Sequence, residues 1–229
     1  MDRLHVLKAL SERKNLKNYL EIGVFNGHIF FKINSWFKVA VDPYFAFDGL
    51  RKLGKSLLQP ANFKNQYFEK PSDDFFEQNA PVVFADKKIE LALIDGMHEY
   101  DFVLRDAQNT LKYLDEKGVI ILHDCNPVAA TSAVSHQAWV DNGHQGVWNG
   151  DVWKMIVFFR SFHPELDVFV LDCDHGLGVI TKKPAENRLH FTEEQIRGFS
   201  YEDLAQNRQA WLDLKPADYF EDYFFNLRQ

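Results

Sequence analysis

At 229 residues the chain is long enough for one large domain or two small ones, and a single core would suffice for it. Acidic residues outnumber basic ones 33 to 26, for a formal charge of −7; with no basic excess to neutralise a phosphate backbone, nucleic acid is not an expected partner. Two distant cysteines, Cys125 and Cys173, make neither a disulfide framework nor a paired zinc site. The first 15 residues contain no signal-like apolar stretch and no run reaches the roughly 18–20 apolar residues of a membrane helix, so the expectation is a cytoplasmic protein without a membrane partner.

Taken in order, residues 1–15 repeat apolar side chains at helical spacing, and Tyr19-Leu-Glu-Ile-Gly23 reads as a short buried strand ending in a glycine turn. Phe37 to Val41 is a second strand, stopped by Asp42-Pro43 because proline cannot continue a central ladder. Residues 47–58 read as a helix, residues 65–68 as a third strand, and Ser72 as the capping serine of another helix. Glu90 to Ile94 is a fourth strand, followed by a helical face of Val103, Ala107, Leu111 and Leu114 that Gly118 closes, and by the apolar strand Val119 to Leu122. Residues 126–150 form a long polar segment of the kind that serves as a lid or binding loop. A helix over 151–162 then leads to strands at 167–171 and 178–181, whose short connection suits only an antiparallel hairpin. From Thr192 onward the chain reads as two amphipathic helices with a run of aromatic residues.

Unbroken apolar strands alternating with helices imply an α/β fold: a doubly wound, mostly parallel seven-stranded sheet with an antiparallel last strand. The expected division is a catalytic domain over 1–182 and a helical extension over 183–229 packed on it. In such sheets ligands bind beyond the carboxyl ends of the strands. Here those places carry Glu21-Ile-Gly23-Val-Phe25-Asn-Gly27, then Asp42, then Asp95-Gly96-Met97-His98, then His123-Asp124. Glycines let backbone approach a ligand closely, and a carboxylate after the second strand can accept both hydroxyls of a ribose. Each has a structural alternative. The glycine turn also suits a tight strand-to-helix connection, and Asp42-Pro43 and Asp95-Gly96 suit ordinary turns. His123 suits a satisfied buried imidazole, Cys125 packing and Asp151 a helix cap.

In order and spacing these segments resemble class I S-adenosylmethionine-dependent methyltransferases over roughly residues 17–182. The acid-x-Gly-x-aromatic-x-Gly turn and the Ile-Asp-Gly-x-His-x-Tyr segment look like the small metal-dependent O-methyltransferases, the catechol and antibiotic-sugar enzymes among them. The resemblance implies S-adenosylmethionine as cofactor, bound by Glu21, Gly23, Phe25, Gly27, Asp42, Ser72 and Asp95, with Ser72 near the adenine. It also implies a divalent metal on Asp95, His123 and Asp124, with Asp95 and His98 catalytic and His98 as general base. His123 departs from the family by replacing a carboxylate, which favours manganese, iron or zinc over magnesium. The implied activity is metal-assisted O-methylation of a small polar acceptor.

Two other readings stand beside it. One is a nicotinamide-dependent oxidoreductase, against which Gly23 and Gly27 count because they do not spell G-x-G-x-x-G. The other is the same fold with different metal chemistry or a purely binding role. The aromatic tail suits core packing or a homodimer contact.

Overall fold

The structure, a computed structural model, describes residues 1–226; residues 227–229 of the expected helical extension lie outside the described residues. The chain divides into two compact units, one made of residues 2–96 and 105–120, the other of residues 97–104 and 121 onward together with Met1.

The first unit opens with α1 (Arg3–Arg13), whose N-terminus is capped by Asp2 accepting from the His5 amide, and which turns Val6, Leu7 and Leu10 inward. Its strands β1 (Asn18–Ile22), β2 (Phe37–Asp42), β3 (Gln66–Glu69) and β4 (Ile89–Ile94) are all parallel, with Leu20 of β1 beside Val39 on one side and Ala92 on the other. Every residue of β2 is buried, as a strand covered on both faces demands. Between them run α2 (Gly49–Leu58), α3 (Ser72–Gln78) and α4 (Ala80–Val83). After β4 the chain enters α5 (Tyr100–Tyr113) and β5 (Leu114–Leu122), both of which span the division between the units.

The second unit contains α6 (His136–Asp141), α7 (Trp153–Phe162), β6 (Asp167–Leu171) and β7 (Leu177–Thr181), the last two forming the expected antiparallel hairpin. There follow α8 (Glu193–Gly198) and α9 (Tyr201–Leu212), each opened by a reciprocal capping box, then β8 (Leu214–Lys215) and α10 (Tyr219–Glu221). The tail's aromatic residues are largely core: Phe220 is fully buried, and Tyr223 donates to Asp167 and packs on Phe169.

The described strands form one sheet in the order β3-β2-β1-β4-β5-β7-β6-β8, mostly parallel with an antiparallel strand toward one edge, as expected for this fold class. Four details differ from the sequence reading. The sheet has eight strands rather than seven, because Leu214 and Lys215 add a short strand parallel to β6 that two residues could not signal. Ser72 is the first residue of α3 rather than its cap; Pro71 holds the cap position. The segment 126–150 is not all loop, since Ser135 caps the short helix α6 within it. Gly118 does not end a helix: α5 stops at Tyr113, and Gly118 lies inside β5. Its smallness has a packing cause, because a Cβ there would stand 2.9 Å from the Ile89 carbonyl oxygen and 2.7 Å from Leu114. Gly118→Ala is therefore expected to destabilise the protein by about 1–3 kcal/mol, the usual cost of overpacking, read as a lowered urea midpoint.

Candidate active site

In the first unit, the end of β1 and the loop after β2 are stitched together by backbone. The Gly23 amide donates to the Val41 carbonyl at 3.0 Å, and the Ala46 amide to the Phe25 carbonyl at 2.9 Å. Asp42 completes the seam: Oδ2 accepts the Phe25 amide and Oδ1 the Tyr44 amide, each at 2.8 Å. A carboxylate has about four lone-pair sites, so Asp42 orders the loop and keeps acceptor capacity for hydroxyls. Gly23 and Phe25 both take left-handed backbone, at φ 86° and 43°. Phe25 is 59% exposed, a ring held out from a strained turn. Gly23 is demanded by a close approach, since a Cβ would lie 2.0 Å from the Asp95 carbonyl oxygen. Gly27, at φ 72°, would press a Cβ into the Phe31 ring at 2.4 Å; its cause is packing as well as turn geometry.

Asp95 follows β4, its amide donating to the Ile22 carbonyl, and its Oδ2 lies 3.3 Å from Arg3 Nε. Ser72 hydrogen-bonds the buried Asp106, whose carboxyl burial pushes up to about 7. Glu21, within β1, is buried. Its Oε2 accepts the Tyr19 hydroxyl at 2.5 Å, and burial pushes its carboxyl up to about 8, with Asp95 adding to the rise. Lys38, also buried, donates to the Phe30 and Ile33 carbonyls at 2.9 Å and to Asn62 Oδ1 at 2.5 Å; desolvation lowers its ammonium to about 7. Burial thus raises the Glu21 carboxyl and lowers the Lys38 ammonium.

In the second unit, Asp124 lies immediately after β5 in left-handed backbone, φ 62°, a conformation that aspartate tolerates better than most residues. Its Oδ1 accepts from the buried Asn149 Nδ2 at 2.5 Å. Its Oδ2 faces two imidazoles, His123 Nδ1 at 2.8 Å and His98 Nε2 at 3.2 Å. The other nitrogen of His98, Nδ1, is 2.7 Å from the Trp148 carbonyl oxygen, which can only accept, so Nδ1 carries a proton and Nε2 is the atom presented to Asp124. The other nitrogen of His123, Nε2, lies 3.6 Å from Asp174 Oδ2. His123 therefore turns both ring nitrogens to carboxylates, whereas His98 has one nitrogen directed at Asp124.

The structure keeps the expected residues at strand ends and adds partners that sequence reasoning missed: Arg3, Asn149, Trp148 and Asp174. Each meets its partner only through folding. Asp174, with His175 and Gly176, sits in a left-handed turn whose carbonyls receive the Cys125 and Asn126 amides. Asp151 caps a helix other than its own, its Oδ1 accepting the Tyr100 amide at the start of α5 at 2.7 Å. Cys125 is buried and Cys173 half-buried.

Residues 20–125 match a family model described as a methyltransferase domain. The fold recurs in solved proteins. An O-methyltransferase of tomaymycin synthesis from Streptomyces achromogenes, in complex with S-adenosylmethionine, matches at a TM-score of 0.57 and 12% identity over 79% of each chain. A methyltransferase from Podospora anserina bound to S-adenosylhomocysteine matches at 0.56 and 14% identity over 80% of each chain. An O-methyltransferase from Bacillus cereus in complex with S-adenosylhomocysteine matches at 0.51 and 15% identity, over 79% of this chain and 80% of that one. No curated protein matches the sequence. The chain has the Rossmann-like methyltransferase fold, and its residues 20–125 are similar to a methyltransferase domain.

Two measurements check the site's construction. Gly23→Ala combines left-handed strain with a backbone clash and is expected to cost roughly 3 kcal/mol or more of stability, seen in chemical denaturation. A raised native carboxyl binds protons that the unfolded chain has released, so Glu21 lowers stability as pH climbs from about 4.5 toward about 8, while Lys38 acts in the opposite sense only from about 7 upward. Urea midpoints at pH 5 and pH 7 should therefore fall more in the wild type than in Glu21→Gln.

Proposed function

We propose that this chain transfers a methyl group from S-adenosylmethionine to a hydroxyl oxygen of a small polar acceptor, assisted by a divalent cation at Asp95, His98 and Asp124. The observation that carries the reading is the methyltransferase-domain match over residues 20–125, a segment that contains Glu21, Gly23, Phe25, Gly27, Asp42, Ser72, Asp95, His98, His123 and Asp124. The cofactor is supported by similar folds solved with S-adenosylmethionine or its demethylated product. The loop after β1 supports it as well, since its Phe25 amide is already held by Asp42.

In the reaction the acceptor oxygen forms a bond to the methyl carbon as the bond from carbon to sulfur breaks; the acceptor's proton departs and a neutral thioether remains. The step depends on alignment, which can supply much of the acceleration. Asp42 and the Gly23–Gly27 loop would hold the cofactor, with Glu21 supporting that loop.

The donor set suits a cation. A neutral His98 directs the lone pair of Nε2 at a carboxylate oxygen 3.2 Å away, which is unfavourable unless a proton or a cation lies between. Two donors each ~2.1 Å from one ion at a right angle are themselves ~3 Å apart. Asp95 is joined to His98 through Gly96 and Met97 alone, and the three residues are a candidate ligand set. His123 would then orient Asp124 from behind, a common role for a group hydrogen-bonded to a ligand. The cation would supply acidity, lowering the pKa of the acceptor hydroxyl. Without one, Nε2 of His98 would take the acceptor's proton; the two uses exclude each other. One nitrogen and two carboxylates suit manganese, iron or zinc better than magnesium.

Calorimetry with S-adenosylhomocysteine, with and without each metal, tests both parts. Binding is expected at roughly one cofactor per chain, and His98→Ala and Asp95→Ala should lower turnover by about 10²–10⁴-fold, His98→Ala while leaving cofactor affinity unchanged. Release of S-adenosylhomocysteine from an acceptor panel reads the turnover. If chelation abolishes activity, His98 serves as a ligand; if activity survives chelation and follows the His98 titration, it serves as the base. Unchanged turnover in both variants would sink the reading.

A further inference from the structure

The helix α2 (Gly49–Leu58) is amphipathic with its faces reversed. The side that it turns to the rest of its unit carries Lys52, Lys55, Ser56 and, just past its end, Gln59, spaced as one helical face and half-buried or buried. These residues are held there by specific contacts. Lys52 Nζ stands 4.3 Å from the Tyr67 ring centroid and 5.5 Å from those of Phe45 and Phe47. Ser56 Oγ donates to the Lys52 carbonyl and Gln59 Nε2 to that of Ile33. The opposite side presents Leu50, Leu53, Leu57 and Leu58, which are 79%, 50%, 68% and 83% exposed, and Phe63 just beyond is 60% exposed. Rolling the helix to bury the leucines would break the contacts of its polar side, so they stay outward. Contiguous exposed apolar surface of this kind marks an interaction site.

We propose that this face pairs with the same face of a second copy of the chain. Two features favour that occupant over an anionic lipid surface or an acidic partner. Charge is nearly absent from the exposed side: of residues 49, 50, 51, 53, 54, 57 and 58, Arg51 alone is charged, and the lysines of the helix point inward. A lipid-binding helix needs the reverse, cations flanking its apolar face. The face is also self-complementary. Gly54 lies midway between Leu50 and Leu58, and nothing stands within 4 Å of where its Cβ would be. An antiparallel pair crossing at Gly54 sets Leu50 against Leu58 of the partner subunit and the reverse, as a two-fold interface requires. The leucines and Phe63 offer on the order of 600 Å² per copy, near the lower limit of stable interfaces.

Sedimentation velocity on the full chain tests this, with a concentration-dependent dimer expected in the micromolar range. Leu57→Arg, on a largely exposed side chain, should weaken self-association roughly tenfold or more by placing a charge in the seam while leaving the circular dichroism melt unchanged. A chain carrying Leu50→Cys and Leu58→Cys, with Cys173→Ser to remove the partly exposed thiol, should form a disulfide-linked dimer on mild oxidation. Within one chain those two positions are roughly 12 Å apart along the helix and cannot bridge. A wild type that stays monomeric, a dimer untouched by Leu57→Arg, or failure of the double-cysteine chain to cross-link overturns the proposal. Pelleting of a monomeric wild type with phosphatidylglycerol vesicles overturns it in favour of a lipid surface.

Discussion

Where β1 and β4 leave the sheet, their backbones come so close that a single methyl group would collide with the Asp95 carbonyl at 2.0 Å. Gly23 meets that constraint by having no side chain and by taking a left-handed turn closed to most residues. The rest of the first unit's ligand-facing edge follows from it. The turn sends Phe25 outward and aims its amide at Asp42, and the same approach fixes where Asp95 emerges. The glycine that resembles a cofactor-binding signature is therefore required by the chain's own packing.

The second unit meets a different constraint, the concentration of charge around Asp124. A buried carboxylate is costly unless its oxygens are engaged, and here Asn149 takes one while His123 and His98 face the other. Two of those three partners are histidines. The Trp148 carbonyl removes one ambiguity by committing Nδ1 of His98 as a donor. Trp148 also stacks against Trp139 at 5.1 Å and lies beside the His98 ring, so the segment read as a loop supplies the packing that orients His98. The same fold is reached by solved proteins that are only 12–15% identical to this chain.

What the sequence determined by itself was periodic or local. Unbroken apolar runs can be covered only on both faces, and a six-residue connection can join only antiparallel neighbours; these facts specify the parallel sheet and the β6–β7 hairpin before any coordinates. Strand ends then mark Glu21, Asp42, Asp95 and Asp124 as candidates, since a parallel sheet gathers its carboxyl ends. Tertiary structure decided whatever depends on partners distant in the chain. Gly118 reads as a helix stop because glycine does stop helices, yet here it makes room for Ile89 and Leu114. Asp151 caps a helix 51 positions away, and Arg3 reaches Asp95 from the opposite end of its unit's sequence. The direction of α2 was likewise beyond a periodicity, which identifies two faces but not which one meets the core. Pattern is a property of one segment, whereas a contact, a protonation state or an exposed face is a property of two, and only folding brings the second into place.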